Sequence, residues 1–186
     1  MNYDVIIIGA GPGGIFAAYE LMKKKPECKI AVFEEGYPLE KRKCPIDGEK
    51  IKSCINCKRC SIMCGFGGAG AFSDGKYNIT NDFGGTLFEY IGKKQAVELM
   101  KYVDTINMSH GGEGTKMYST AGTDLKKVCL QNKLKLLDAS VRHLGTDVNY
   151  VVLKNLYDEM KDHMDFFFDT PVEKIQVKED GYLVST

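Results

Sequence analysis

The first residues of the chain show a regular succession of apolar and polar stretches. Val5-Ile6-Ile7-Ile8 is a continuous β-branched run, which predicts a parallel strand buried on both faces. Residues 15–25 carry apolar side chains near one helical face and end in three lysines before Pro26, which predicts a helix. Residues 29–34 (KIAVFE) predict a second strand. The three elements form a βαβ unit and indicate an α/β fold.

The same periodicities continue along the rest of the chain. Three further helices are predicted: over residues 95–106, from Asp124 onward, and from Thr146 to Met160. Further strands are predicted within residues 134–144, over residues 166–168, and in a hairpin of residues 172–177 and 182–184. Residues 36–64 have no clear period and hold five of the seven cysteines, so they predict an irregular loop organised by a ligand. Residues 65–75 contain five glycines and predict a second glycine-rich loop.

Composition excludes several classes of protein. Hydrophobic residues at 44% and charged residues at 27% are ordinary for a globular protein, so a disordered or collagen-like chain is excluded. The net charge of zero gives no electrostatic basis for a nucleic-acid partner. No apolar run reaches the roughly 18 to 20 residues that span a bilayer, and the first residues lack a signal peptide. We therefore expect a cytoplasmic protein with no membrane partner, whose cysteines are reduced thiols or metal ligands.

The turn after the first strand carries a nucleotide-binding motif. Gly9-Ala10-Gly11-Pro12-Gly13-Gly14 fits G-x-G-x-x-G, follows a predicted strand and opens a predicted helix. In this motif the first glycine permits the tight turn, the second lets a pyrophosphate approach the backbone, and the third lets the helix pack close to the strand. The N–H groups at the helix N-terminus suit the phosphates, so Gly9, Gly11, Pro12, Gly13 and Gly14 are predicted cofactor-binding residues.

An acidic residue stands where the motif requires one. Glu34 ends the second strand, 20 residues after Gly14, and its carboxylate can accept hydrogen bonds from both ribose hydroxyls of an adenosine. Glu35 is the alternative ligand. A carboxylate at this place repels the 2′-phosphate of NADP. FAD and NAD stay open on the motif alone, and FAD is favoured because the unit is N-terminal and a second glycine-rich loop follows.

The cysteine-rich stretch has a metal-binding spacing. Cys54-x2-Cys57-x2-Cys60-x3-Cys64 reproduces the spacing of bacterial ferredoxins, although Gly65 stands where their proline would be. Cys44-Pro45 lies ten residues upstream of this run and could supply the fourth ligand in place of Cys64. A [4Fe–4S] cluster is the leading hypothesis, and zinc, a redox-active dithiol and free thiols are the alternatives.

Several motifs together resemble a bacterial family of FAD-dependent dehydrogenases of largely unassigned substrate. The resemblance runs through nearly the whole chain, and the segments that carry it are DVIIIGAGPGG, Cys44-Pro45-Ile46, the cysteine run, GFGGAGAFSDGK, residues 76–80, residues 82–85 and residues 142–147. It implies a Rossmann-like FAD-binding domain of the two-dinucleotide-fold superfamily. The β-meander of that domain matches the predicted C-terminal hairpin, and the last parallel strands are not in this sequence. We therefore expect an apparently truncated domain.

The resemblance also assigns domains and further residues. It implies that residues 1–75 belong to the FAD-binding domain, residues 76–145 are a helical insertion that forms part of a substrate domain, and residues 146–186 return to the FAD-binding domain. Ser73 and Asp74 are expected to face the flavin. His143 and Asp147 are candidates for catalysis, and Arg142 is a candidate partner of a substrate carboxylate or a flavin phosphate, although a helix cap and a core histidine are the plainer interpretations.

The leading functional hypothesis is an FAD-dependent oxidoreductase, a dehydrogenase or reductase, of which this chain is the N-terminal FAD-binding portion. An electron-transfer flavo-iron–sulfur protein and a non-catalytic nucleotide-binding or metal-stabilised module are the alternatives. The sequence predicts FAD as a partner and leaves open the small-molecule substrate and the electron donor or acceptor.

Overall fold

The computed structural model describes residues 1–186, which divide into two compact units. The first unit consists of residues 1–72 and 153–186, and the second of residues 73–152. None of the helices combines the length and the apolar character that crossing a membrane requires. The assignment of an FAD-binding domain and a substrate domain to particular residues concerns function and stays a prediction.

A parallel sheet forms the framework of the first unit. Its strands are β1 (Val5–Ile8), β2 (Ile30–Phe33) and β6 (Asp165–Phe167), in the order β1-β2-β6. Helix α1 (Pro12–Lys24) connects β1 to β2, and the register pairs Ile8 with Phe33 and Phe33 with Phe167. The predicted βαβ unit and the third buried-strand segment are therefore confirmed, and the fold is α/β with a Rossmann-like arrangement. Because the three strands are parallel, their carboxyl ends lie at the same edge of the sheet.

The core of the first unit lies against this sheet. Ile15, Ala18 and Met22 of α1 are buried, as are Ile30, Ala31 and Val32 of β2. Phe66 is also fully buried, and its ring makes edge-on contacts with the rings of Tyr157, Phe166 and Phe168. Strands β7 (Lys174–Lys178) and β8 (Gly181–Ser185) form the predicted antiparallel hairpin.

The second unit contains an antiparallel sheet that the sequence predicted only in part. Its strands are β3 (Lys76–Ile79), β4 (Met117–Ser119) and β5 (Ser140–His143), in the order β3-β5-β4. Helices α2 (Leu87–Ile91), α3 (Lys93–Asn107) and α4 (Leu125–Gln131) belong to this unit, and α5 (Thr146–Met160) begins in it. The strand within 134–144 and the helices α3, α4 and α5 were predicted, whereas β3, β4 and α2 were not.

One ion pair joins α3 to β5. The guanidinium of Arg142 donates to both carboxylate oxygens of Asp104, at 2.6 and 2.8 Å, and to the carbonyl oxygen of Thr115 at 2.6 Å. The hydrogen bond from Asp104 raises the pKa of Arg142. Because Arg142 is occupied within its own unit, the expected role for it as a partner of a substrate carboxylate has no support from its contacts.

Candidate functional site

The loop between β1 and α1 shows which glycines the fold itself requires. Gly9 has a φ of +97°, which L side chains rarely adopt. A Cβ atom on Gly14 would overlap the carbonyl oxygen of Gly9, so only glycine permits this close contact of helix and strand. Gly11 has neither constraint, because its φ is −74° and a Cβ atom added there would meet no atom within 4 Å. The backbone at Gly11 therefore has an open face that a ligand can approach.

The N-terminus of α1 is suited to an anion. Gly11 is its N-cap, Pro12 occupies the first turn, and no side chain caps the helix. The first turn contains no acidic residue either, so no carboxylate competes for the N–H groups there. An uncapped helix N-terminus beside an open glycine loop has the geometry that binds phosphate groups in nucleotide-binding folds.

Glu34 is buried at the carboxyl end of β2 and holds three loops together. Its side chain accepts hydrogen bonds from the backbone N–H groups of Ala10 (2.7 Å, at Oε2), Gly36 (2.8 Å, at Oε1) and Gly65 (2.8 Å, at Oε1), and the residue is only 6% exposed. An ionised carboxylate has about four acceptor positions. The two on Oε1 and one on Oε2 are in use, so a single acceptor position, on Oε2, is left for a ribose hydroxyl.

The neighbouring acid has a different environment. Glu35 is exposed and accepts a hydrogen bond from the Cys64 thiol. That hydrogen bond, with burial and the nearby carboxylates, raises the pKa of Cys64. Of the two acids that the sequence left open, Glu34 is the one whose carboxylate contacts the first glycine loop.

The second glycine-rich loop packs on the first. Gly67 donates its backbone N–H to the carbonyl oxygen of Ala10 at 2.8 Å, and the Cβ position of Gly68 lies 3.2 Å from the Cα atom of Gly11. A Cβ atom on Gly36 would overlap the backbone of Gly65. Glycine at positions 36, 65 and 68 therefore permits close contact with neighbouring backbone, and the two glycine loops form one surface.

Arg42 organises the second loop, and the sequence analysis did not single it out. Its side chain donates hydrogen bonds to four backbone carbonyl oxygens, those of Ser61 (2.9 Å), Ile62 (2.8 Å), Phe66 (2.6 Å) and Gly68 (2.8 Å). The residue is 5% exposed, and its guanidinium lies 4.9 Å from the centre of the Phe72 ring. Burial lowers the pKa of Arg42, and the carboxylate of Glu34 opposes that change. A single cation therefore fixes the backbone from residue 61 to residue 68.

Four of the five candidate cysteine ligands line one cavity. Cys44, Cys54, Cys57 and Cys60 surround a space of about 300 Å³, together with apolar side chains that include Ile46 and Ile55. Cys64 does not line it. All seven cysteines are free thiols, and no group of three or more His, Cys, Asp or Glu side chains is placed to hold a metal ion.

The remaining candidates lie in the second unit. Ser73 and Asp74 are exposed; the Ser73 hydroxyl accepts a hydrogen bond from the Gly75 N–H, and an Asp74 carboxylate oxygen lies 2.6 Å from the Lys76 ammonium. That ammonium, with the nearby His143, lowers the pKa of Asp74. Asp147 is exposed in the first turn of α5, where an acid favours the helix. The structure thus brings Asp74, Lys76 and His143 together, and a catalytic role for His143 or Asp147 stays a prediction.

Comparison with known proteins finds a family match in the N-terminal segment and a curated relative over most of the chain. Residues 1–38 match the Thi4 family. An uncharacterized protein of Clostridium beijerinckii is 29% identical over 147 residues, which are 78% of this chain and 24% of that protein. The thiamine thiazole synthase of Yarrowia lipolytica is 58% identical over 33 residues, which are 18% of this chain and 10% of that enzyme.

Solved structures also align with the chain over almost its full length. THI4 of Thermovibrio ammonificans is 13% identical, with a TM-score of 0.42, and the alignment covers 98% of this chain and 45% of that protein. Glycine oxidase of Bacillus cereus is 14% identical, with a TM-score of 0.45, over 98% of this chain and 53% of the oxidase. The chain thus spans about half the length of these structures and about a quarter of the first curated relative. Its similarity to the Thi4 family extends from Met1 to Pro38, the segment that contains β1, the glycine loop, α1 and β2.

Proposed function

We propose that this chain is the FAD-binding portion of an FAD-dependent oxidoreductase. One observation carries the proposal: at the carboxyl edge of the parallel sheet, two glycine-rich loops and the buried carboxylate of Glu34 form a single surface that is open at Gly11. Ligands of open α/β sheets bind at this edge. The match of residues 1–38 to the Thi4 family supports a dinucleotide ligand at the same loop.

The residues present fit the adenosine and pyrophosphate parts of the cofactor. The pyrophosphate would lie against Gly11 and the N-terminus of α1, which has neither a capping side chain nor an acid in its first turn. The ribose would donate one hydroxyl to Oε2 of Glu34, where one acceptor position is left. The same buried carboxylate disfavours a 2′-phosphate, so NADP fits this site poorly.

When bound, FAD supplies the ability to accept and return reducing equivalents. The chain's own residues would bind and orient the cofactor. Glu34 would orient the ribose, the N–H groups of the first turn of α1 would neutralise phosphate charge, and Arg42 fixes the backbone of the second glycine loop, which packs on the first.

Titration of the purified chain with dinucleotides tests this proposal directly. We expect the fluorescence of FAD to be quenched on addition of the 186-residue chain, with weaker binding of NAD⁺ and the weakest binding of NADP⁺. Equal affinity for all three dinucleotides would show that Glu34 does not face the ribose. Preferential binding of NAD⁺ would replace FAD with a nicotinamide cofactor, and no binding of any of them would reject the site.

Substitution of Gly11 separates ligand binding from folding. We expect Gly11→Val to weaken FAD binding at least tenfold, about 1.4 kcal/mol, because a branched side chain would occupy the open face of the loop. We expect its free energy of unfolding to change by less than about 1 kcal/mol, since no protein atom lies within 4 Å of the new Cβ atom. Gly11→Ala is the graded control and should give a smaller loss. FAD affinity unchanged in Gly11→Val would place the cofactor elsewhere.

A further inference from the structure

The cysteine-rich segment is irregular and buries few of its residues. From Cys44 to Cys60 the chain contains neither helix nor strand, and most of its residues are exposed. Long irregular segments in compact proteins are usually functional or disordered. Cys44 nevertheless shares a cavity with Cys54, Cys57 and Cys60, although it lies ten residues before Cys54 in the sequence.

The spacing of the cysteines distinguishes between metal centres. Structural zinc sites usually combine two separate pairs of ligands. Here Cys54, Cys57 and Cys60 follow one another in the C-x2-C-x2-C spacing of cluster-binding cysteines, and Cys44 lines the same cavity of about 300 Å³. One crowded run with a single remote cysteine therefore favours a cluster over a single zinc ion.

The charges and the walls around the cavity suit an anionic cluster. Lys43 and Lys58 line an adjoining cavity that shares Cys57 with the first one, and the ion pair of Arg59 with Asp169 lines it as well. Positive charge beside a thiolate favours its deprotonated, metal-binding form. Ile46 and Ile55 add apolar side chains to the lining of the cysteine cavity.

We propose that Cys44, Cys54, Cys57 and Cys60 bind one [4Fe–4S] cluster, and that Cys64 is not a ligand. The cluster would be a second redox centre beside the dinucleotide site. The proposal rests on the cavity and on the spacing of the cysteines, and it holds whether or not FAD binds at Gly11. Ligation would also supply folding free energy to a segment that buries little apolar surface of its own.

Anaerobic reconstitution of the 186-residue chain with ferrous iron and sulfide tests the site. We expect about four iron and about four sulfide ions per chain after desalting, with visible absorption that dithionite bleaches. Cys44→Ser and Cys57→Ser should each lose this absorption and the bound iron. The matched controls Cys64→Ser and Cys28→Ser should keep both. The assignment would be overturned if the chain bound zinc instead of iron, or if it bound neither metal. It would also be overturned if Cys64→Ser lost the iron and Cys44→Ser retained it.

A second measurement uses the unsubstituted chain, so it does not depend on the folding of any variant. The reconstituted and the metal-free protein are treated with iodoacetamide, and the modified cysteines are identified by mass spectrometry. We expect reconstitution to protect Cys44, Cys54, Cys57 and Cys60 and to leave the labelling of Cys28, Cys64 and Cys129 unchanged. Protection of a different set of four cysteines would reject the proposed ligands.

Discussion

Replacement of Arg42 with methionine is expected to lower the free energy of unfolding by about 3 to 5 kcal/mol. Methionine has a comparable length and no donor, so four backbone carbonyl oxygens would lose their hydrogen bonds inside the protein. The carboxylate of Glu34 would also lose the cation that it faces. Unfolding of the chain in urea, followed by circular dichroism, measures the change.

Arg59→Met is the matched control for this substitution. Arg59 forms an ion pair with Asp169, but the side chains of this pair are 27% and 55% exposed. Such pairs contribute about 0 to 1 kcal/mol, so this variant should unfold close to the parent chain. Similar destabilisation in the two variants would show that removal of any cation near the cysteine segment has the same effect, and that the four carbonyl contacts of Arg42 are not responsible.

Glu34→Gln is expected to have the second largest effect, a loss of about 2 to 4 kcal/mol in the absence of FAD. The glutamine amide keeps one acceptor oxygen and replaces the other with an N–H donor, which would face the backbone N–H of Ala10 or those of Gly36 and Gly65. At least one buried donor would then have no acceptor. The free energy of unfolding of the FAD-free chain measures this cost separately from ligand binding.

The adjacent acid provides the control. Glu35→Gln alters an exposed side chain, and surface substitutions usually change stability by no more than about 0.5 kcal/mol. We also expect FAD to bind Glu34→Gln more weakly than Glu35→Gln, by roughly 1.5 to 3 kcal/mol, because only Glu34 offers a carboxylate oxygen at the glycine loop. The reverse order of the two affinities would make Glu35 the ribose ligand.

The parts of the fold that the sequence predicted well are those whose signals are local. The apolar run of β1, the glycine loop and α1 follow one another within 20 residues, and each is recognisable without its neighbours in space. Strands β3 (KYNI) and β4 (MYS) were missed because neither has a continuous apolar run and their pairing partner β5 lies far along the chain. Such strands are formed by their partner more than by their own propensity.

The site shows the same division between local and distant information. Glu34 at the end of β2 was predicted, but two of the three donors to its carboxylate, Ala10 and Gly65, come from loops that the sequence did not bring together. Arg42 lies in the charged run Glu40-Lys41-Arg42-Lys43, which is typical of an exposed surface. One signal was present: Leu39 to Lys41 form a 3-10 turn, in which residues three apart lie on the same side, so Arg42 follows the buried Leu39.

The order of strands in the parallel sheet has a consequence for synthesis of the protein. Phe33 of β2 pairs with Phe167 of β6, so at about 5 to 20 residues per second the ribosome produces the third strand roughly 7 to 27 seconds after the second. The second unit is continuous in sequence and is complete before β6 emerges. Until then the sheet of the first unit consists of β1 and β2 with α1 packed on them, and its third strand is missing.

The backbone hydrogen bonds of Glu34 also form only after β6 has been synthesised. Its N–H donates to the carbonyl oxygen of Phe167 at 2.9 Å, and its own carbonyl oxygen accepts from the N–H of Thr170 at 3.0 Å. The carboxylate that joins the glycine loops is therefore fixed only after residue 170 has left the ribosome. Uptake of the proposed dinucleotide must be a late step, and a nascent chain arrested before β6 would display the glycine motif without being able to retain the ligand.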